Sequence, residues 1–283
     1  MSESNRRTFL KSVGGTGVAL TVAGCLGGGG DGDGSTTTGT TGDGTTGDTT
    51  TTEDVTTITP GTASGFPPFE FVNESGDLVG FDIDLLSAVV EQTDGYELGS
   101  WEDLEFNQLI VALQNDNIDV VAAAMTINEE RDQTIDFTDP YYDANQAVLV
   151  REGGSFQPES TDDLADHPVG AQSGTTGKDQ MDALVEEGTI SSSQANTYEN
   201  YVLAVQDLAN GNIDAVIVDT PVAETFVANR DVVISFTIET GEQYGFGVRE
   251  NDDELQSALN EGLQAVQDNG TYAELTEEWF ASE

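Results

Sequence analysis

From residue 55 onward the chain switches repeatedly between short continuous apolar runs and stretches with apolar residues three and four apart. The first kind reads as buried strand and the second as one face of a helix. Residues 80–91 carry Leu85, Leu86, Val89 and Val90 at helical spacing, with Asp82 placed to cap the helix. Residues 107–114 read as a second helix, followed by a strand over residues 118–123. Residues 180–187 repeat the helical pattern through Met181, Leu184 and Val185, and Gly188 stops it. Near the end, Leu255, Ala258, Leu259, Leu263 and Val266 line a helix closed by Gly270. Thr271-Tyr-Ala-Glu274 then has the capping-box spacing of a last helix running to Trp279.

A weak internal repeat organises these elements. Leu109-Ile-Val-Ala-Leu-Gln-Asn-Asp-Asn-Ile-Asp-Val-Val-Ala-Ala-Ala-Met-Thr126 resembles Val205-Gln-Asp-Leu-Ala-Asn-Gly-Asn-Ile-Asp-Ala-Val-Ile-Val-Asp-Thr220. Each copy reads as helix, a turn ending in Asn-Ile-Asp, and strand. The copies lie far apart, so the expected fold class is α/β, with two similar α/β lobes. Thr126 follows the strand in one copy and Asp219 in the other. Ligands of open α/β sheets sit outside the carboxyl ends of strands. Two such edges facing each other make a cleft, a preferred place for small molecules.

Before residue 55 the periodic pattern disappears. Residues 26–54 are Gly, Thr, Asp and Ser with almost nothing apolar beyond Leu26, the composition of a disordered tether. Residues 1–25 read as an export signal. Arg6-Arg7-Thr-Phe-Leu-Lys11 supplies a twin-arginine basic region, residues 13–23 a short apolar one, and Val22-Ala-Gly-Cys25 a lipoprotein cleavage box. Cys25 is the sole cysteine, so it is the expected lipid attachment point and no intrachain disulfide forms. The 229 residues from Val55 on are enough for two lobes.

Charge narrows the function. The chain has 53 acidic and 8 basic residues and a formal net charge of −45. Nucleic acid is thereby excluded as a partner, since phosphate recognition needs Lys/Arg patches. Such a halophilic acidic surface suits molar salt, where a Debye length of about 3 Å screens self-repulsion. Among so few bases, Arg131 stands just past the apolar run of residues 118–125. A guanidinium at a strand end is a candidate carboxylate receptor, because its planar fork matches two carboxylate oxygens. The only histidine, His167, has no Cys or second His to complete a zinc site or a nucleophile triad.

These motifs taken together resemble the extracellular solute-binding proteins of amino-acid ABC transporters, family 3, with the type II periplasmic-binding-protein fold. The matching residues are Phe66-Pro-Pro-Phe-Glu-Phe71, Gly80-Phe-Asp-Ile-Asp-Leu85, Ala124-Met-Thr-Ile-Asn-Glu-Glu-Arg131, Asp136-Phe-Thr-Asp-Pro-Tyr-Tyr142 and Val169-Gly-Ala-Gln-Ser-Gly-Thr-Thr176. Ile213-Asp-Ala-Val-Ile-Val-Asp219, Tyr244-Gly-Phe-Gly247 and the ending from Gly270-Thr-Tyr to Trp279-Phe280 complete the set. The resemblance implies two lobes joined by two crossover strands, with a ligand cleft between them. Lobe one would be residues 55–140 and 245–283, and lobe two residues 146–239. The hinges would be residues 141–145 and 240–244.

The resemblance also implies roles. Arg131 would take the ligand α-carboxylate, shared with the helix start at Thr175 and Thr176. Asp219 would take the α-ammonium from the opposite lobe, unless it serves as a helix cap before Pro221. Thr126 would add a hydroxyl donor and Ala124 a backbone carbonyl. Phe66 and Phe106 would wall the side-chain pocket, and Gln172 would read the far end of the side chain. Family members that bind cationic or amide side chains often carry an acidic residue near the position of Ala63, so its absence points to a neutral polar amino acid. The implied function is a lipid-anchored receptor on the extracellular face of the cytoplasmic membrane. It needs no cofactor, performs no bond chemistry and delivers a free amino acid to an ABC permease. The alternative is an enzyme on the same scaffold, such as a cyclohexadienyl-type dehydratase, which would need a general acid in the cleft.

Overall fold

The computed structural model describes residues 55–281. The proposed signal, Cys25 and the tether lie outside the described residues. In chain order the first half forms β1 (Thr56–Ile58), β2 (Pro60–Thr62), β3 (Phe71–Val72), β4 (Leu78–Val79), α1 (Phe81–Glu91), β5 (Tyr96–Leu98) and β6 (Glu102–Asp103). There follow α2 (Leu109–Gln114), β7 (Val120–Val121), β8 (Ile135–Phe137), β9 (Tyr142–Arg151), β10 (Val169–Gln172), α3 (Thr176–Glu186) and β11 (Ala195–Tyr198). The remainder is α4 (Tyr201–Asn210), β12 (Ala215–Asp219), α5 (Thr220–Asn229), β13 (Val232–Tyr244), β14 (Gly247–Arg249), α6 (Asp253–Asp268) and α7 (Thr271–Phe280).

Two five-stranded sheets have the same plan. One runs β6-β2-β7-β14-β8 and the other β11-β10-β12-β9-β13. In each, three parallel strands are followed by a fourth that runs antiparallel to them and a fifth antiparallel to the fourth. This is the internal repeat made visible, because α2 leads into β7 as α4 leads into β12. The chain passes between sheets from β8 to β9 and from β13 to β14, and the two passages lie side by side, with Tyr142 paired to Tyr244. Aromatic rings pack around them: Tyr141 stacks on Phe246 at 4.7 Å and Tyr142 on Phe280 at 4.8 Å. Phe69, Phe81 and Phe246 are fully buried there, each contributing about 1.5–3 kcal/mol of hydrophobic stabilisation.

The local expectations need three corrections. Asp82 does not cap α1. The first N–H groups of that helix bond to the Pro68 and Phe69 carbonyls at 2.9 and 3.0 Å. This close approach requires Gly80, where a Cβ would lie 2.0 Å from the Phe69 oxygen. The freed Asp82 carboxylate turns inward and accepts from the Ala124 N–H at 2.7 Å and the Tyr141 hydroxyl at 2.6 Å. The strand expected over residues 118–123 shrinks to Val120–Val121, because the chain leaves the sheet for a left-handed Ala124 (φ 45°) held by Asp82. Thr271 makes no side-chain cap; Gly270 (φ 92°) starts α7.

Burial lifts the Asp82 carboxyl from 3.8 to about 7, against the two hydrogen bonds that lower it. A carboxyl raised in this way holds its proton more tightly folded than unfolded. Its contribution to stability is therefore greatest below 3.8 and lost as pH climbs to about 7. We expect Asp82→Asn, which keeps an acceptor oxygen and cannot ionise, to flatten the decline in unfolding temperature between those limits. Calorimetry in parallel on both proteins checks it, and identical pH profiles would count against the buried carboxyl as the cause.

Candidate functional site

The carboxyl ends of β2, β7, β10 and β12 face one cavity, and the polar residues beyond β7, β10 and β12 are each delivered by a different local device. Past β7, the Asp82 bond fixes the loop so that Ala124 and Thr126 line the cavity. Arg131 opens a short 3-10 turn and is only 7% exposed. Its guanidinium donates to the Thr126 carbonyl at 2.7 Å and, across the cleft, to the Gly174 carbonyl at 2.9 Å. It lies 5.3 Å from the centre of the Phe106 ring, a cation–π distance. No carboxylate among the described residues comes within ion-pair distance of it. Arg131 is thus not a surface side chain paired to its acidic neighbours. A guanidinium has five donors, so the two bonds to carbonyls leave part of the fork free.

The second sheet supplies the other wall. Gln172 ends β10, and its amide oxygen accepts from the Tyr201 N–H at 3.1 Å. Thr175 caps α3 by accepting from the Lys178 N–H at 3.2 Å, while its hydroxyl donates to the Gln172 carbonyl at 2.8 Å. Thr176 is the first residue of α3. Asp219 ends β12 at 3% exposure and precedes α5 without making a side-chain cap. Its Oδ1 accepts from the Tyr244 hydroxyl at 2.7 Å. Burial first and the nearby Glu242 second raise its carboxyl from 3.8 to about 7.

The walls also touch each other. Phe66 lies 5.6 Å from Tyr201, ring centre to ring centre, and Asn107 Nδ2 donates to Ser173 Oγ at 3.3 Å. Gly174 sits at φ 78°, and a Cβ there would come 3.0 Å from the Asn107 Cβ. Glycine at this point permits both the turn and the close approach.

All nine residues singled out from the sequence line this one cavity. With its walls in contact the cavity is nearly closed, holding about 10 Å³, room for about one water molecule. Two residues not anticipated also line it, Ala123 and Glu70. Glu70 is 1% exposed, and neither carboxylate oxygen has a hydrogen-bond partner. Burial, then Asp82, Asp219 and Asp103, raise its carboxyl well above the usual range. The signal for it was a glutamate enclosed by aromatic residues in Phe66-Pro-Pro-Phe-Glu-Phe71. Ala63 is buried but does not line the cavity. His167 lies elsewhere, with Nδ1 2.8 Å from Asp214 and its ring stacked on Phe156. Among the described residues no group of three or more acidic, histidine or cysteine side chains is placed to hold a metal ion.

The sequence pattern of the bacterial extracellular solute-binding proteins, family 3, matches residues 58–282. A putative ABC transporter arginine-binding protein 2 of Escherichia coli strain K12 is 34% identical over 231 residues, which cover 79% of this chain and 90% of that protein. Among solved structures, an ancestral arginine-binding protein bound to arginine matches with a TM-score of 0.74 and 37% identity, over 80% of this chain and 98% of the other. An ancestral amino-acid-binding protein described as a precursor of cyclohexadienyl dehydratase matches with a TM-score of 0.72 and 33% identity, over 79% of this chain and 95% of the other.

The Tyr244 hydroxyl favours the ionised form of Asp219. Tyr244→Phe should therefore move the Asp219 titration upward from about 7, followed by carboxyl carbon NMR shifts. A midpoint that stays put or falls would mean the bond carries no weight.

Proposed function

The chain belongs to family 3 of the bacterial extracellular solute-binding proteins, and on that premise we propose that it captures a free amino acid with a cationic side chain for an ABC importer. The observation that carries the reading is a pair of opposite charges on opposite walls of one cavity. Arg131 and Asp219 both line it, and neither has an ionic partner among the described residues. A zwitterion satisfies both, with its carboxylate on the Arg131 fork and its ammonium on Asp219. Contacts to both walls exist only when the walls are together, so binding favours closure about residues 141–145 and 240–244.

Glu70 supports the cationic side chain. A buried carboxylate without any partner is costly, and a guanidinium or ammonium would remove that cost where a neutral side chain would not. The acid that Ala63 does not provide is thus supplied seven positions further on, which changes the expected ligand from neutral polar to cationic. Binding of arginine by the relatives accords with this. The twin-arginine segment and Cys25 support export and a lipid anchor on the outer face of the membrane. The acidic composition supports a salt-rich medium.

A dehydratase reading draws on the same Glu70, since burial shifts its carboxyl toward the protonated form that a general acid needs. A substrate without an amino group would leave Asp219 without a counter-charge, and on that ground binding is the better reading. Incubation with prephenate and analysis of the products separates the two.

Titration calorimetry of the full chain in molar KCl should detect binding of L-arginine. Agmatine, which lacks the carboxylate, should give no heat, and Arg131→Ala should abolish carboxylate-dependent affinity. Loss of hydrogen bonds to a charged group at about 1.5–3 kcal/mol each makes Arg131→Ala at least a hundredfold effect. Glu70→Gln should weaken L-arginine by at least tenfold and L-glutamine by less. No heat from any of the twenty standard amino acids would sink the receptor reading.

A further inference from the structure

We propose that Glu242 is a positioning residue that takes the hydroxyl protons of Thr126 and Thr176, so that both hydroxyls meet the ligand's amino group only as acceptors. The inference deepens the amino-acid-binding reading and rests on it. Glu242 does not line the ligand cavity; it opens onto a separate groove behind the strand passage, beside Tyr142 and Asn145. Thr126 and Thr176 stand between the two spaces. Thr126 Oγ1 donates to Glu242 Oε2 at 3.1 Å and Thr176 Oγ1 to the same oxygen at 2.9 Å. Gln146 Nε2 donates to both carboxylate oxygens, at 3.3 and 3.1 Å, and to Thr176 Oγ1 at 3.1 Å.

The chemistry follows from the hydroxyl itself. It has one proton and two lone pairs. Once the proton is given to Glu242, Thr126 has only lone pairs for the cavity, and Thr176 keeps one after accepting from Gln146. A ligand carboxylate, which accepts only, cannot bond to such an oxygen. An ammonium, which donates only, can. Thr126 therefore belongs to the amino end of the site with Asp219. The donor role toward the ligand that the resemblance implies for it would then be blocked.

A backbone irregularity aims Glu242. The pairing of β13 with β9 slips between Ile238, opposite Gln146, and Glu242, opposite Ala144. Residues 239–241 thus bulge opposite Asn145 alone. The Asn145 side chain accepts the Thr240 and Gly241 N–H groups, each at 2.9 Å, and Gly241 adopts φ 65°. A bulge re-aims the side chains that follow it. Here it turns a carboxylate from the second passage toward one threonine on each wall.

The test compares L-arginine with 5-guanidinopentanoate, the same molecule without its amino group, by calorimetry on the full chain. Glu242→Met removes the acceptor at similar length. We expect it to weaken L-arginine at least tenfold and to leave 5-guanidinopentanoate within twofold. Glu242→Gln retains an acceptor oxygen and should restore most of the loss. Equal loss for both ligands, or no loss for either, overturns the proposal. Should Glu242→Met not fold, Thr126→Val is expected to give the same amino-selective loss, and an unselective effect there overturns the proposal as well. If wild-type protein fails with L-arginine but binds L-glutamine, only the cationic assignment falls, and glutaramate serves as the amino-free partner. If wild-type protein binds no amino acid, the receptor reading falls and this proposal with it.

Discussion

Carboxylates kept out of water without a counter-charge govern this cleft. Glu70, Asp82 and Asp219 are each at most 3% exposed, and burial is the first cause of the raised pKa in all three. A protein that buries an acid must neutralise it, pair it or accept the cost. Arg131, the one cation among the cavity-lining side chains, is bonded to two carbonyls and not to any of these acids. The network is therefore incomplete by one set of charges, and that set is what an amino acid carries.

The passages do more than connect the sheets. Tyr141, at the first, donates to Asp82 at 2.6 Å, and Tyr244, at the second, donates to Asp219 at 2.7 Å. Short bonds of this kind to an ionised acceptor are stronger than neutral ones. Each tyrosine thus ties the ionisation of one buried acid to the geometry of one passage. Asp82 in turn holds the left-handed Ala124, and Asp219 lines the cavity directly. A change of charge in the cleft and a change of angle between the walls would draw on the same few atoms.

How far the sequence disclosed this depends on whether a feature is periodic or three-dimensional. The helix–strand repeat was legible because its spacing is a one-dimensional signal, and it located both Thr126 and Asp219. The role of Asp82 was misread. An acid at the start of a helical pattern looks like a cap, and nothing local indicates that the carbonyls of Pro68 and Phe69 already occupy the helix end. Glu70 gives no periodic signal, because a glutamate within an aromatic run is ordinarily a surface residue between buried ones. Glu242 was invisible for a stronger reason. Its direction depends on a bulge stabilised by Asn145, almost a hundred positions away in sequence, and no pattern in residues 239–242 encodes that register.

Salt separates the outside of this protein from its cleft. With 53 acids against 8 bases, the exterior repels itself strongly at low ionic strength. At about 1 M salt the Debye length falls to about 3 Å, which removes most of that repulsion. Charges excluded from solvent are screened far less, because ions do not enter between them. Arg131 at 7% exposure and Asp219 at 3% fall in that second class. Molar salt would therefore quiet the surface and leave the interactions of these two buried charges with anything in contact with them largely intact.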